Sequence, residues 1–148
     1  MGYGELIDGL FDTGCVKFGD FTLASGKQSP VYLDLRRLVS FPSVLDLAVE
    51  AYVDVLLKLQ YDYIAGVPYA ALPIASIAAS KLKQPMVYSR KEVKNHGTAQ
   101  QVEGVFEPGQ RAVLVEDVLT SGGSLLTAAD ALSRSEEHTS ELQSRQVI

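Results

Sequence analysis

Along this chain the spacing of oily positions changes several times, and each change marks a new element. Leu6, Ile7, Leu10 and Phe11 recur at helical spacing, whereas "GDFTLASGKQSPVYLDLR" alternates and carries a Ser-Gly pair, which predicts two strands around a turn. The two pieces together predict a small N-terminal α+β element. Pro42 suits the first turn of a helix, and Val44, Leu45, Ala48, Ala51, Tyr52, Val55, Leu56 and Leu59 then form one broad apolar face whose work is packing. "YDYIAGV" reads as a buried strand, "PYAALP" as a tight loop, "IASIAASKL" as a small-residue helix and "PMVYS" as the next strand, so a parallel crossover is predicted. From Arg90 to Gly109 the chain turns polar apart from the short alternating "QVEGVF". "RAVLVEDV" then predicts another buried strand and "SLLTAADAL" another helix. The fold class is α/β: a doubly wound, mainly parallel sheet.

Composition narrows the picture without changing it. With 148 residues, 47% of them hydrophobic and 21% charged, one globular domain is expected. No apolar run approaches the ~20 residues that cross a bilayer, and "MGYGELIDGL" lacks the layout of a secretion signal, so a cytoplasmic protein with no membrane partner is expected. The single cysteine, Cys15, reads as a small core or surface residue, and the two histidines have no zinc spacing. A net charge of −5 gives no general attraction for nucleic acid, so an anionic ligand requires a local cluster of cations.

Residues 134–148, "RSEEHTSELQSRQVI", abandon the strand and helix pattern. Arg134 to Ser144 resembles the translation of a common DNA-sequencing adapter. The expectation is therefore one domain over 1–133, with the C-terminal part of its fold missing, followed by a non-native tail over 134–148. The other reading of this stretch is a solvated helix end. Loss of a strand and helix would expose a sheet edge and apolar helix faces, which predicts weak folding or aggregation.

Chemistry concentrates in "VLVEDVLTSGGS". Ligands of open parallel sheets bind beyond the carboxyl ends of the strands, which is where Glu116 and Asp117 fall. Thr120, Ser121, Gly122, Gly123 and Ser124 then offer hydroxyls and closely approachable backbone N–H groups at a helix start, a combination that can surround a phosphate. Two carboxylates beside it can accept hydrogen bonds from a ribose diol. The plainer alternative is a hydroxyl cap on the helix beside two solvated acids. A second cluster, "SRKEVKNHG", gathers Arg90, Lys91, Lys94 and His96, which is either a patch for a diphosphate or a solvated charged loop.

The acid-acid-loop stretch resembles the signature of type I phosphoribosyltransferases, which bind 5-phosphoribosyl 1-diphosphate (PRPP). "KFGDFTLASGKQSPVYLDLR", "GVPYAALP" and "RKEVKNHGTAQQVEG" are similar, in the same order, to orotate phosphoribosyltransferases. The wording of "GVPYAALP" and "SPVYLDLR" is closest to the form found in uridine-monophosphate synthases. The similarity runs from Leu6 to Leu132.

It implies transfer of phosphoribose from PRPP to orotate, giving orotidine 5′-monophosphate and diphosphate, with Mg²⁺ held mainly through PRPP. Lys94, His96 and Asp117 would be catalytic. Tyr69, Arg90, Lys91, Glu116, Val118, Leu119, Thr120, Ser121, Gly122, Gly123 and Ser124 would complete the PRPP site, and Tyr32 and Thr120 would touch orotate. The resemblance also implies a homodimer in which loop 90–104 completes the partner's site.

Ala24 and Ala70 stand where many bacterial relatives carry lysine, with Lys27 near the first gap as a substitute. The resemblance implies a further strand bearing an arginine against the orotate carboxylate, which is expected beyond the residues that match the family. Alternatives are the first half of a bifunctional synthase, a transferase for another base, a non-catalytic ligand sensor, or a phosphate binder without turnover.

Overall fold

The computed structural model describes residues 3–23, 25–90, 101–136 and 146–147. Helix α1 (Gly4–Asp12) leads into an antiparallel hairpin of β1 (Val16–Thr22) and β2 (Gln28–Leu33). A 3₁₀ segment (Leu35–Ser40) then connects to helix α2 (Pro42–Leu56). The remaining elements are β3 (Tyr63–Gly66), α3 (Ala71–Leu82), β4 (Met86–Ser89), β5 (Val102–Glu103), β6 (Ala112–Val115), α4 (Gly123–Glu136) and β7 (Gln146–Val147).

The main sheet has the order β5-β4-β3-β6-β7. β4, β3, β6 and β7 run parallel, and β5 pairs antiparallel with β4 at one edge. The short, wholly buried strands alternate their side chains between two cores, as the two-residue period of a strand requires. Ile64, Val113 and Val115 face α2 and α3. Tyr63, Ala65, Ala112 and Leu114 face Leu125, Ala128, Ala131 and Leu132 of α4. Helices therefore cover both faces, the doubly wound α/β arrangement that the alternation predicts.

Local chemistry explains the helix positions. Pro42 sits at the start of α2, where its missing N–H costs no intrahelical bond. In α3 the buried residues are Ala71, Ile74, Ala75, Ala78 and Ala79, a small-residue face that lies close against the sheet. The approach is tightest at Gly66: a Cβ there would lie 2.8 Å from Met86 Cε, 2.9 Å from Leu72 Cδ2 and 3.2 Å from Ala75 Cβ. Lys81 joins the helices on that face by pairing with Asp46, at 2.6 Å, and with Glu50.

Four features depart from the sequence expectations or lie beside them. α3 starts at Ala71, so "ALP" of the expected loop is helical; Pro73 falls in the first turn, where N–H groups have no helical partner anyway. The 3₁₀ segment after β2 has no counterpart in the hydrophobic pattern. Helix α4 runs on to Glu136, past the expected boundary at 133, and Gln146–Val147 pairs with β6 along its outer edge. Val102–Glu103 belongs to the sheet rather than to the polar loop. Cys15 is fully buried, with the Thr13 hydroxyl donating to its Sγ at 3.2 Å. Among the described residues no helix is long and apolar enough to cross a membrane.

Candidate functional site at the carboxyl ends of the strands

β3 is flanked by β4 on one side and β6 on the other, and the helices following β3 and β6 lie on opposite faces. The cleft between the carboxyl ends of β3 and β6 is therefore the point where the winding reverses, the usual ligand site of such a sheet. At that edge the register closes with Gly66 opposite Val115, and the Val67 N–H donates to the Val115 carbonyl at 2.9 Å. The next two residues of the β6 strand are the paired acids. Glu116 is buried and Asp117 is half-buried. The Tyr52 hydroxyl, reaching over from α2, donates to the Glu116 carbonyl at 2.7 Å. Burial, reinforced by the nearby Asp117 and Glu116 carboxylates, pushes the Tyr52 phenol up to about 12.

The chain then leaves the sheet. Leu119, Thr120 and Ser121 are exposed, and Gly122 takes φ +78°, a left-handed conformation that strains any residue with a Cβ. That turn sends the backbone into α4, whose first turn is marked by the Leu126 N–H donating to the Gly122 carbonyl at 2.9 Å. The Gly123 N–H lies 3.4 Å from Ser121 Oγ, and the Thr127 hydroxyl donates to the Gly123 carbonyl at 2.9 Å. The start of α4, whose first-turn N–H groups have no partner within the helix itself, therefore lies beside the exposed Thr120, Ser121 and Ser124 hydroxyls.

Neighbouring strand ends bring two more expected residues to the same edge. Tyr69, 61% exposed, follows β3 across a cis Pro68–Tyr69 peptide, and its carbonyl accepts the Leu72 N–H at 3.1 Å. Arg90 directly follows β4; its N–H donates to the Gln101 carbonyl at 2.8 Å, and its guanidinium pairs with Glu103 of β5. That Glu103 partner was not foreseen, although its place opposite the end of β4 follows once β5 is known. Lys91, Lys94, His96 and Ala24 lie outside the described residues.

The other expected residues sit on the N-terminal hairpin. Tyr32 is half-buried on β2, its ring 5.4 Å from that of Phe21 and its hydroxyl 3.3 Å from Arg36 Nη2. Arg36 also pairs with Asp34 at 2.6 Å, which holds the Asp34 carboxyl below its ordinary value, while Arg37 donates to the Thr13 carbonyl at 3.0 Å. Lys27 is exposed in the hairpin turn, where its carbonyl accepts the Leu23 N–H at 2.8 Å. A cavity of about 320 Å³ lined by Leu56, Gln60, Tyr61 and Arg111 lies at the opposite ends of β3 and β6 and shares no residue with the loop.

This geometry has relatives. The Phosphoribosyl transferase domain family matches residues 42–137, which span α2, strands β3 to β6, the acid pair and α4. The chain is 45% identical over 130 residues to the orotate phosphoribosyltransferase of Pyrobaculum aerophilum, covering 88% of this chain and 67% of that protein. This chain belongs to the orotate phosphoribosyltransferase family. The family member from Caenorhabditis elegans is 44% identical over 130 residues, 86% of this chain and 57% of its own length. The structure of Leishmania donovani UMP synthase superposes with a TM-score of 0.82 at 39% identity, covering 99% of this chain and 30% of that one. The chain thus spans little more than half of the Caenorhabditis orotate phosphoribosyltransferase and under a third of the synthase.

Proposed function

We propose that this chain carries the donor site of an orotate phosphoribosyltransferase, which moves phosphoribose from PRPP to orotate and releases diphosphate. The observation that supports it most is the run from the buried Glu116 and half-buried Asp117 through the positive-φ Gly122 into the start of α4, at the reversal point of the sheet. The 5′-phosphate sits in the loop of Thr120 to Ser124, taking N–H and hydroxyl donors. Glu116 and Asp117 accept the ribose hydroxyls. Arg90 and Tyr69 lie just beyond β4 and β3; neighbouring strands lie about 4.8 Å apart, so the end of β4 stands roughly 10 Å from that of β6, on the side where a diphosphate would extend.

During transfer the bond from ribose C1 to the diphosphate oxygen breaks, a bond from C1 to the orotate nitrogen forms, and the proton which that nitrogen gives up balances the one taken up by diphosphate. Negative charge grows on the departing oxygen, and Arg90, Lys91, Lys94 and His96 neutralise it, with His96 or Lys94 supplying a proton. Water has to be kept from the reacting ribose carbon, and the resemblance assigns that work to stretch 90–104, which in a homodimer would complete the partner's site. Tyr32 and Thr120 meet the orotate ring.

Among the described residues no three metal-ligating side chains converge. The carboxylate oxygens of Glu116 and Asp117 are nevertheless suited to a hard cation that takes its other ligands from substrate. Mg²⁺ bound in this way would neutralise diphosphate charge.

The test is a turnover assay on the intact protein with orotate, PRPP and Mg²⁺, followed through the loss of orotate absorbance. We expect activity, a fall of roughly 100-fold in kcat for Lys94→Ala, and recovery when Lys94→Ala and Asp117→Asn subunits are mixed. A protein that binds PRPP but consumes no orotate would overturn the assignment, and mixed subunits without recovery would overturn the shared site.

A further inference from the structure

We propose that Tyr52 is a positioning residue for the donor site: its hydroxyl holds the Glu116 carbonyl and so fixes where the acid pair and the phosphate loop leave the sheet. The inference rests on the function proposed above and adds a residue from α2, an element outside the acid-loop motif. The bond joins groups far apart in the chain, at 2.7 Å. Its acceptor occupies a particular place. Val115 is the last residue of β6 registered against β3, and Glu116 is the first one beyond it. The exposed segment of Leu119 to Ser121 follows after only Asp117 and Val118, so small changes in direction at Glu116 are carried into the loop.

Packing alone does not account for a tyrosine here. Its ring lies against the buried cluster of α2, α3 and the sheet, where a phenylalanine ring fills the same volume. Its hydroxyl is taken out of water close to two carboxylates, a cost that a hydrogen bond to the site backbone offsets. α2 also packs on the 3₁₀ segment that follows β2, so the same helix touches the connection to Tyr32 and the origin of the phosphate loop.

Tyr52→Phe removes one hydrogen bond and keeps the ring. We expect ribose 5-phosphate affinity, measured by calorimetry on the intact protein, to weaken roughly 3- to 10-fold. The KM for PRPP should rise by a similar factor, with kcat and the KM for orotate within about twofold. Val49→Ala, a cavity in the buried face one turn away on the same helix, controls for lost packing: it should lower the melting temperature more than Tyr52→Phe and leave ribose 5-phosphate affinity unchanged. Equal affinity in Tyr52→Phe and the unsubstituted protein, or an equal loss in Val49→Ala, overturns the inference. Ribose 5-phosphate binding without orotate turnover in the unsubstituted protein would sink the proposed reaction alone, because the binding comparison still reads Tyr52.

Discussion

Exchanging one glycine of the loop for alanine separates backbone conformation from bulk. Gly122 takes φ +78°, and a Cβ added there would find only Leu119 Cδ1, at 3.8 Å. Space is therefore not the obstacle to Gly122→Ala; the left-handed backbone is, at a cost of about 1–2 kcal/mol for a residue with a side chain. Because the loop is exposed on its Leu119–Ser121 side, it relieves that strain by moving out of its native turn rather than by unfolding the sheet. A ligand that needs the native turn must restore it, so affinity should fall by roughly five- to thirty-fold. Gly123→Ala is the matched control: its φ is not left-handed, and its Cβ would meet only Ser121 Oγ at ordinary contact, 3.6 Å. It should bind normally and gain slightly in stability as a helix residue. Calorimetric titration of both variants with ribose 5-phosphate, beside a thermal melt, decides the matter. Equal affinities in the two variants, or a larger loss in Gly123→Ala, would refute the claim that the turn at Gly122 builds the seat.

Gly66→Ala should cost about 1–3 kcal/mol, since its Cβ would fall within 3.2 Å of Met86, Leu72 and Ala75 and push α3 away from β3; a melting temperature lowered by several degrees checks this. Stability should also decline at high pH. Tyr52 is raised to about 12 from an ordinary 10, so above pH 10 the unfolded chain loses this proton first. The contribution is complete below pH 10 and disappears toward pH 12, on the order of 2 kcal/mol. Urea melts from pH 9 to 12 should show a shallower decline for Tyr52→Phe, and parallel curves would contradict the shift. Lys83 ends α3 in a left-handed conformation, φ 56°, so Lys83→Gly should stabilise by roughly 0.5–1 kcal/mol, visible as a higher melting temperature.

The strands and helices were readable because burial on both faces leaves continuous apolar runs such as "AVLV", and helix faces leave spaced ones such as Ala71, Ile74, Ala75 and Ala78. The acid pair was readable for a related reason: carboxylates directly after such a run have to fall at a strand end. The start of α3 was not, because Pro73 suits the close of a loop as well as the first turn of a helix, where there is no N–H bond for it to break. Nor could periodicity separate the two ends of Tyr52. Its ring obeys the apolar pattern of α2, while its hydroxyl answers to a carbonyl that only the tertiary fold brings near. Glu103 was hidden likewise, since its partner Arg90 is reached through an antiparallel pairing of only two residues.

The order of strands has a consequence for assembly. Val67 and Val115 meet only when β3 and β6 lie side by side, and this parallel contact joins segments separated by a helix, two strands and a long polar stretch. Distant pairings of this kind form late in folding. A sugar phosphate seated across those two strand ends would act as a clasp on the last join to close, and increasing its concentration should slow unfolding while leaving the early collapse of the chain untouched.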